Sequence, residues 1–125
     1  RTLIYSTALP PALAASAREA LAISRTERWR RERLFELVAR FREGAERLGV
    51  PVTGVEGPIQ PIILGDCAQT AAVSAALMSR GMLVAGVRPP TVPEGTARLR
   101  ISISAAHKEA HIDRLVGELA VLLCA

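Results

Sequence analysis

The sequence predicts a two-layer α+β fold: a small three-stranded, mainly antiparallel split βαβ sheet with helices on one face. Three observations predict it. Apolar residues recur at steps of three and four through several long segments, as on helices that bury one side. Short β-branched runs lie between them at Ile59–Leu64, Met82–Val87 and Ala97–Ser104. Their order is strand, helix, strand, loop, strand. A right-handed crossover makes the first two strands parallel and leaves a gap between them for the third, running antiparallel.

Taken in order, Leu3–Thr7 reads as a short strand that stops before Pro10. Proline is tolerated in a first helical turn, so a helix starts near Pro10 and runs through "ALAASAREALAIS". Its stripe of Leu13, Ala17, Ala20, Leu21 and Ser24 is a narrow seam. A charged helix follows, with Thr26 as its expected cap, Leu34, Leu37, Val38, Phe41, Ala45 and Leu48 on its apolar face, and Gly49 as its stop.

After the turn-rich "VPVTGVEGP" comes the strand Ile59–Leu64, in which Pro61 marks an edge. Asp66 with Gln69 three residues on resembles a capping box, so Cys67–Arg80 is expected to be helical and to close at Gly81. Met82–Val87 is the next strand, Arg88–Gly95 a proline-rich loop, and Ala97–Ser104 the last strand. A final helix runs from about Ala106 to Leu123, with Ile112, Leu115, Val116, Leu119 and Leu122 on one stripe. Residues 1–25 are expected to be a strand and a linking helix joined to a large cofactor domain, and residues 26–125 a small α/β domain.

At 125 residues this is one domain's worth of chain. Half the residues are hydrophobic but 3% are aromatic, so the core is built from Ala, Leu, Val and Ile. No apolar run reaches the roughly 18 residues of a membrane span, and the first residues lack a secretion signal's pattern, so the expected location is cytoplasmic, with no membrane partner. Cys67 and Cys124 have no metal-type spacing and read as small core residues. His107 and His111 share a helix face, but Lys108 stands where a metalloprotease motif has glutamate, so no metal is expected.

The net charge of +4 raises nucleic acid as a partner. Much of the basicity, however, lies in "RTERWRRERLFELVARFREGAERLG", where Glu27, Glu32, Glu36, Glu43 and Glu46 interleave with the arginines. Such a mixed-sign helix is a poor phosphate footprint, because affinity there comes from uncompensated positive charge. No nucleic-acid partner is expected.

In "TARLRISIS" side chains alternate between the two faces of a strand. Leu99, Ile101 and Ile103 face the helices; Arg98, Arg100, Ser102 and Ser104 face the other way. Two guanidiniums and two hydroxyls are poor core but a good wall for an anionic ligand. A ligand-sensing regulatory domain of the split βαβ kind would use such a wall without chemistry.

The pair "YSTALPP" and "VRPPTVPEGTARLRISISAAH" resembles the α-oxoamine synthases, over essentially all of the chain. These are fold-type I pyridoxal-phosphate enzymes that condense an amino acid with an acyl thioester and release carbon dioxide. "RPPTVPEGTARLR" is most similar to the member that joins L-alanine to a pimeloyl thioester; members making aminolevulinate, ketosphinganine or aminoketobutyrate usually lack the arginine before Pro-Pro.

The resemblance implies a homodimer, of which this chain is the C-terminal part of each subunit. It assigns the substrate carboxylate to Arg100, a second carboxylate contact to Arg88, and a substrate contact to Thr91. Ser6 and Thr7 match hydroxyls that reach the cofactor phosphate of the neighbouring subunit. The resemblance places the cofactor lysine upstream of Arg1, in a large domain, and Lys108, the only lysine here, has no small-residue loop around it. The fragment is therefore expected to hold no catalytic residue of its own and to be inactive alone.

Overall fold

A computed structural model describes residues 4, 7–54 and 56–124. The chain divides into two compact units, Arg1–Arg31 and Glu32–Ala125. The first unit contains helix α1 (Pro11–Thr26), which opens with proline in its first turn and has no buried residue. Its expected cap role for Thr26 is corrected: this residue ends α1, and its hydroxyl donates back to the Ala22 carbonyl at 2.9 Å. Beyond it, Arg30 pairs with Glu27 at 2.7 Å and lies over the Trp29 ring. Of the strand expected over Leu3–Thr7, Leu3, Tyr5 and Ser6 lie outside the described residues, and Ile4 and Thr7 are not in a strand.

The second unit holds most of helix α2 (Trp29–Arg47), then β1 (Ile59–Gly65), α3 (Cys67–Ser79), β2 (Ala85–Val87), β3 (Ala97–Ser102) and α4 (Glu109–Leu123). The sheet order is β1-β3-β2, with β3 antiparallel to both neighbours. That is the split βαβ arrangement in which the crossover helix α3 joins two strands separated by a third.

One face of the sheet is covered. Leu99, Ile101 and Ile103 from β3 and its end, with Ile62 from β1, are buried with Leu37, Val38 and Phe41 of α2, Val73 and Leu77 of α3, and Ile112, Val116 and Leu119 of α4. The period of two in β3 and of about 3.6 in the helices meet in this single core.

The helix ends explain the strand lengths. Both α2 and α3 stop at a glycine with positive φ, Gly49 and Gly81, followed by the paired backbone bonds of a Schellman motif. In α3 the Met82 amide closes that motif on the Leu77 carbonyl at 2.9 Å. Met82 is thereby taken up by the helix end, and β2 pairs only over Ala85–Val87 rather than the six residues its hydrophobicity suggests. The last strand and helix are likewise shorter than expected, since Ser104 to Lys108 form a turn in which His107 Nδ1 accepts from the Ser104 amide at 3.0 Å.

Helix α3 lies close on β2. Asp66 caps it, accepting from the Gln69 amide at 2.6 Å, and Ser74 Oγ donates to the Val84 carbonyl at 2.7 Å. A Cβ on Gly86 would sit 3.2 Å from Thr70 Cγ2 and 3.4 Å from Ser74 Cβ, so a side chain here crowds the α3 contact. Helices α2 and α4 run parallel and are clamped by charge: Arg40 grips Asp113 with two bonds of 2.7 Å, and Arg33 and Arg40 both reach Glu109. Of the charged pairs expected along α2, Arg33 with Glu36 forms within the helix at 3.2 Å, while Arg33 and Arg40 also bind across to α4.

Two stability effects follow. Gly86→Val overpacks the α3 contact and should lower stability by about 1–3 kcal/mol, read as a shift in urea midpoint with an unchanged slope; an unchanged midpoint counts against the close approach. The hydrogen bonds from Arg40 hold the Asp113 carboxyl below its ordinary value. A depressed carboxyl contributes stability above its unfolded pKa and loses it as pH falls through the folded one. Asp113→Asn should therefore be less stable than the parent at neutral pH, with the difference closing in acid; an equal gap at both pH values refutes the pairing.

Candidate functional site

The uncovered sheet face carries the polar side chains. In an antiparallel ladder, residues opposite one another share a face. Arg100 is flanked by Pro61 on β1 and Ala85 on β2, and Arg98 by Ile63 and Val87. The two arginines differ in their partners. Arg98 is half-buried and its Nε donates to the Thr96 carbonyl at 2.9 Å, tying down the end of the loop. Arg100 is exposed and its guanidinium makes no ion pair or hydrogen bond among the described residues.

The loop after β2 is built from two tight turns. The Thr91 amide donates to the Arg88 carbonyl at 3.0 Å, and Thr96 closes on the Pro93 carbonyl through both its amide and its hydroxyl. Prolines flank these turns and fix φ, so the loop reaches its shape at a small entropic cost. It borders an open cleft of about 460 Å³, lined by Arg88, Pro89, Thr91 and Arg100 with Gly86, Val87 and Cys67.

Three of the residues singled out by sequence thus share one cleft: Arg88, Thr91 and Arg100. Arg88, like Arg100, has no carboxylate partner among the described residues, whereas Arg33, Arg40 and Arg80 are all paired. Two uncompensated guanidiniums and a hydroxyl around one space can grip a carboxylate bidentately and fix its plane. Thr7 is exposed and belongs to the other compact unit; Ser6 lies outside the described residues.

Cys67 was expected in the core and is instead exposed at the first position of α3, on the wall of this cleft; Cys124 is exposed as well. The cap at Asp66 is the signal that reveals this, because a first-turn residue beside an N-cap sits at the surface where the strand hands over to the helix. Among the described residues no group of three His, Cys, Asp or Glu side chains comes together as metal ligands, and no helix is long and apolar enough to cross a membrane.

The model of the family described as aminotransferase class I and II matches residues 1–119. The chain is 55% identical over 123 residues to an 8-amino-7-oxononanoate synthase of Halorhodospira halophila, covering 96% of this chain and 31% of that protein. It is 50% identical over 120 residues to the enzyme of the same name from Pseudomonas putida, again covering 96% of this chain and 31% of the relative. Among solved structures it is similar to a serine palmitoyltransferase from S. paucimobilis with a bound PLP-myriocin aldimine, at TM-score 0.86 and 31% identity, over 94% of this chain and 30% of that one. An 8-amino-7-oxononanoate synthase from Francisella tularensis shares the fold, at TM-score 0.80 and 24% identity over 94% of this chain and 34% of that one. The chain spans about a third of the length of the curated relatives it matches.

The contrast between paired and unpaired arginines has a chemical readout. Phenylglyoxal should modify Arg88 and Arg100 several-fold faster than Arg33, Arg40 and Arg80, with sites and rates taken from peptide mass mapping. Equal rates at all five positions would refute the assignment of two free guanidiniums to the cleft.

Proposed function

The chain belongs to the class I and II aminotransferase family, and on that premise we propose that it is the C-terminal portion of an 8-amino-7-oxononanoate synthase. The reaction is the decarboxylative condensation of L-alanine with a pimeloyl thioester, in a cytoplasmic homodimer. The observation that carries this reading is the convergence of Arg88, Thr91 and Arg100 on one cleft, supported by the identity to enzymes of that name.

The donor set fits the amino-acid end of the reaction. Pyridoxal phosphate, when bound, supplies a conjugated ring that takes up the electron pair released at the amino-acid Cα. What this chain adds is orientation. Arg100 is fixed on a strand between two neighbours, so its guanidinium holds the alanine carboxylate in one plane and thereby sets which Cα bond stands perpendicular to the ring. Arg88, at the mouth of the loop, gives the carboxylate a second cation, and the Thr91 hydroxyl, held by the turn at Arg88, completes the wall. Ser6 and Thr7 are the hydroxyl donors assigned to the cofactor phosphate across the dimer.

Lys108 is exposed and precedes α4 as its N-cap. A lysine that carries the cofactor stands in an enclosed site beside the ring, and an exposed cap position offers no such enclosure. The cofactor lysine is therefore assigned to sequence outside these 125 residues, and this portion alone is inactive.

In the full-length enzyme, Arg100→Lys keeps the charge but removes the planar fork. A charge-assisted bond is worth about 1.5–3 kcal/mol, so kcat/KM for L-alanine should fall roughly 10- to 100-fold. Cofactor retention, read from the absorbance of the purified protein, should stay unchanged. Parental kinetics in the mutant would overturn the role given to Arg100; loss of cofactor with alanine kinetics preserved would move Arg100 to the cofactor itself.

A further inference from the structure

A second cavity lies where the end of β3 meets the segment before β2 and the first turns of α4. It measures about 390 Å³ and contains none of the residues assigned above. Its floor is formed by Val84, Ile101, Ile103 and Ile112, each at most 5% exposed and all part of the core. Its nitrogen-bearing side chains are those of His107, His111 and Arg114, Ser102 is the one further polar residue, and no aspartate or glutamate lines it.

The polar groups present donors. His107 Nδ1 accepts from the Ser104 amide at 3.0 Å, and His111 Nδ1 accepts from the Lys108 amide at 3.3 Å. A neutral imidazole whose Nδ1 accepts carries its proton on Nε2, so each ring keeps an N–H to offer. The two rings stand 6.2 Å apart and nearly perpendicular. Arg114 is anchored by one Nη donating to the Arg80 carbonyl at 2.7 Å and has no carboxylate partner among the described residues. Glu118, one turn further along the same helix, is engaged by Arg80 instead.

An apolar floor beneath three donors, one of them an uncompensated cation, is complementary to a molecule with a hydrocarbon tail and an anionic head. We propose that the cavity bounded by His107, His111 and Arg114 binds a short aliphatic carboxylate, tail on the Val84–Ile101–Ile103–Ile112 floor and head on the donors. The site is independent of the alanine cleft, and so of the function proposed above.

Leu83 provides the test, because it lines the cavity yet is 82% exposed, so its replacement leaves the core intact. Calorimetric titration of the full-length protein with octanoate should show one site per chain. Affinity should fall about fourfold for each methylene removed from the tail and at least about tenfold for octanol, which lacks the charge. Leu83→Glu should weaken octanoate binding several-fold and Leu83→Lys strengthen it, with Arg114→Gln acting like Leu83→Glu. Saturating alanine should leave the octanoate affinity unchanged. Absence of binding, equal affinity for octanoate and octanol, or indifference to both Leu83 charges overturns the proposal; competition by alanine would reassign the octanoate to the alanine cleft and overturns it equally.

Discussion

The antiparallel insertion of β3 between β1 and β2 is the constraint on which the rest depends. A strand with neighbours on both sides has no freedom to turn over: a slip of one residue would send Leu99 and Ile101 into solvent and Arg98 and Arg100 into the core. The hydrophobic layer built on α2, α3 and α4 therefore fixes the register, and the register fixes where the guanidiniums emerge. Burial on one face creates the polar wall on the other. The exposure of Arg100 is in this sense a by-product of packing, held in place by the burial of Leu99 and Ile101 on either side of it.

This dependence explains why so much was legible in the sequence. "TARLRISIS" shows its two faces through simple alternation, and Asp66, Gly49 and Gly81 mark helix ends through local chemistry that needs no tertiary information. The topology followed from element order and crossover handedness. The departures have equally physical causes. Met82 reads as strand by hydrophobicity, but its amide is claimed by the end of α3. Thr26 reads as an N-cap, but its hydroxyl finds a carbonyl one turn back in α1. Both cysteines read as core by residue type, although Cys67 stands where a strand passes to a helix and Cys124 follows the last turn of α4, and both positions are at the surface.

Charge pairing was the least legible layer. Sequence spacing suggested that α2 neutralises itself, whereas Arg40 gives Nε and one Nη to Asp113 of a parallel helix more than 70 positions away. Spacing reports only neighbours along one helix; which carboxylate an arginine meets across an interface depends on how the helices lie. Once those pairs are drawn, the basic character of the chain sorts into arginines that clamp helices and arginines that remain uncompensated. Arg88 and Arg100 are of the second kind, and they share a cleft.

The two come from different mechanical settings. Arg100 leaves the middle of a three-stranded ladder, with Pro61 and Ala85 on either side, and its backbone can move only if the sheet does. Arg88 leaves the first position beyond β2, where pairing has ended and the proline turns begin. In the proposed site, a carboxylate between one rigid and one less constrained cation has its orientation set by the first, while the second adjusts to it. Small side chains flank Arg100: Ala85 and Pro61 offer no donor that would compete for an anion and little bulk to crowd one. The sheet thus supplies the reference direction and the loop supplies the fit, a division of labour that a site built wholly on either element would lack.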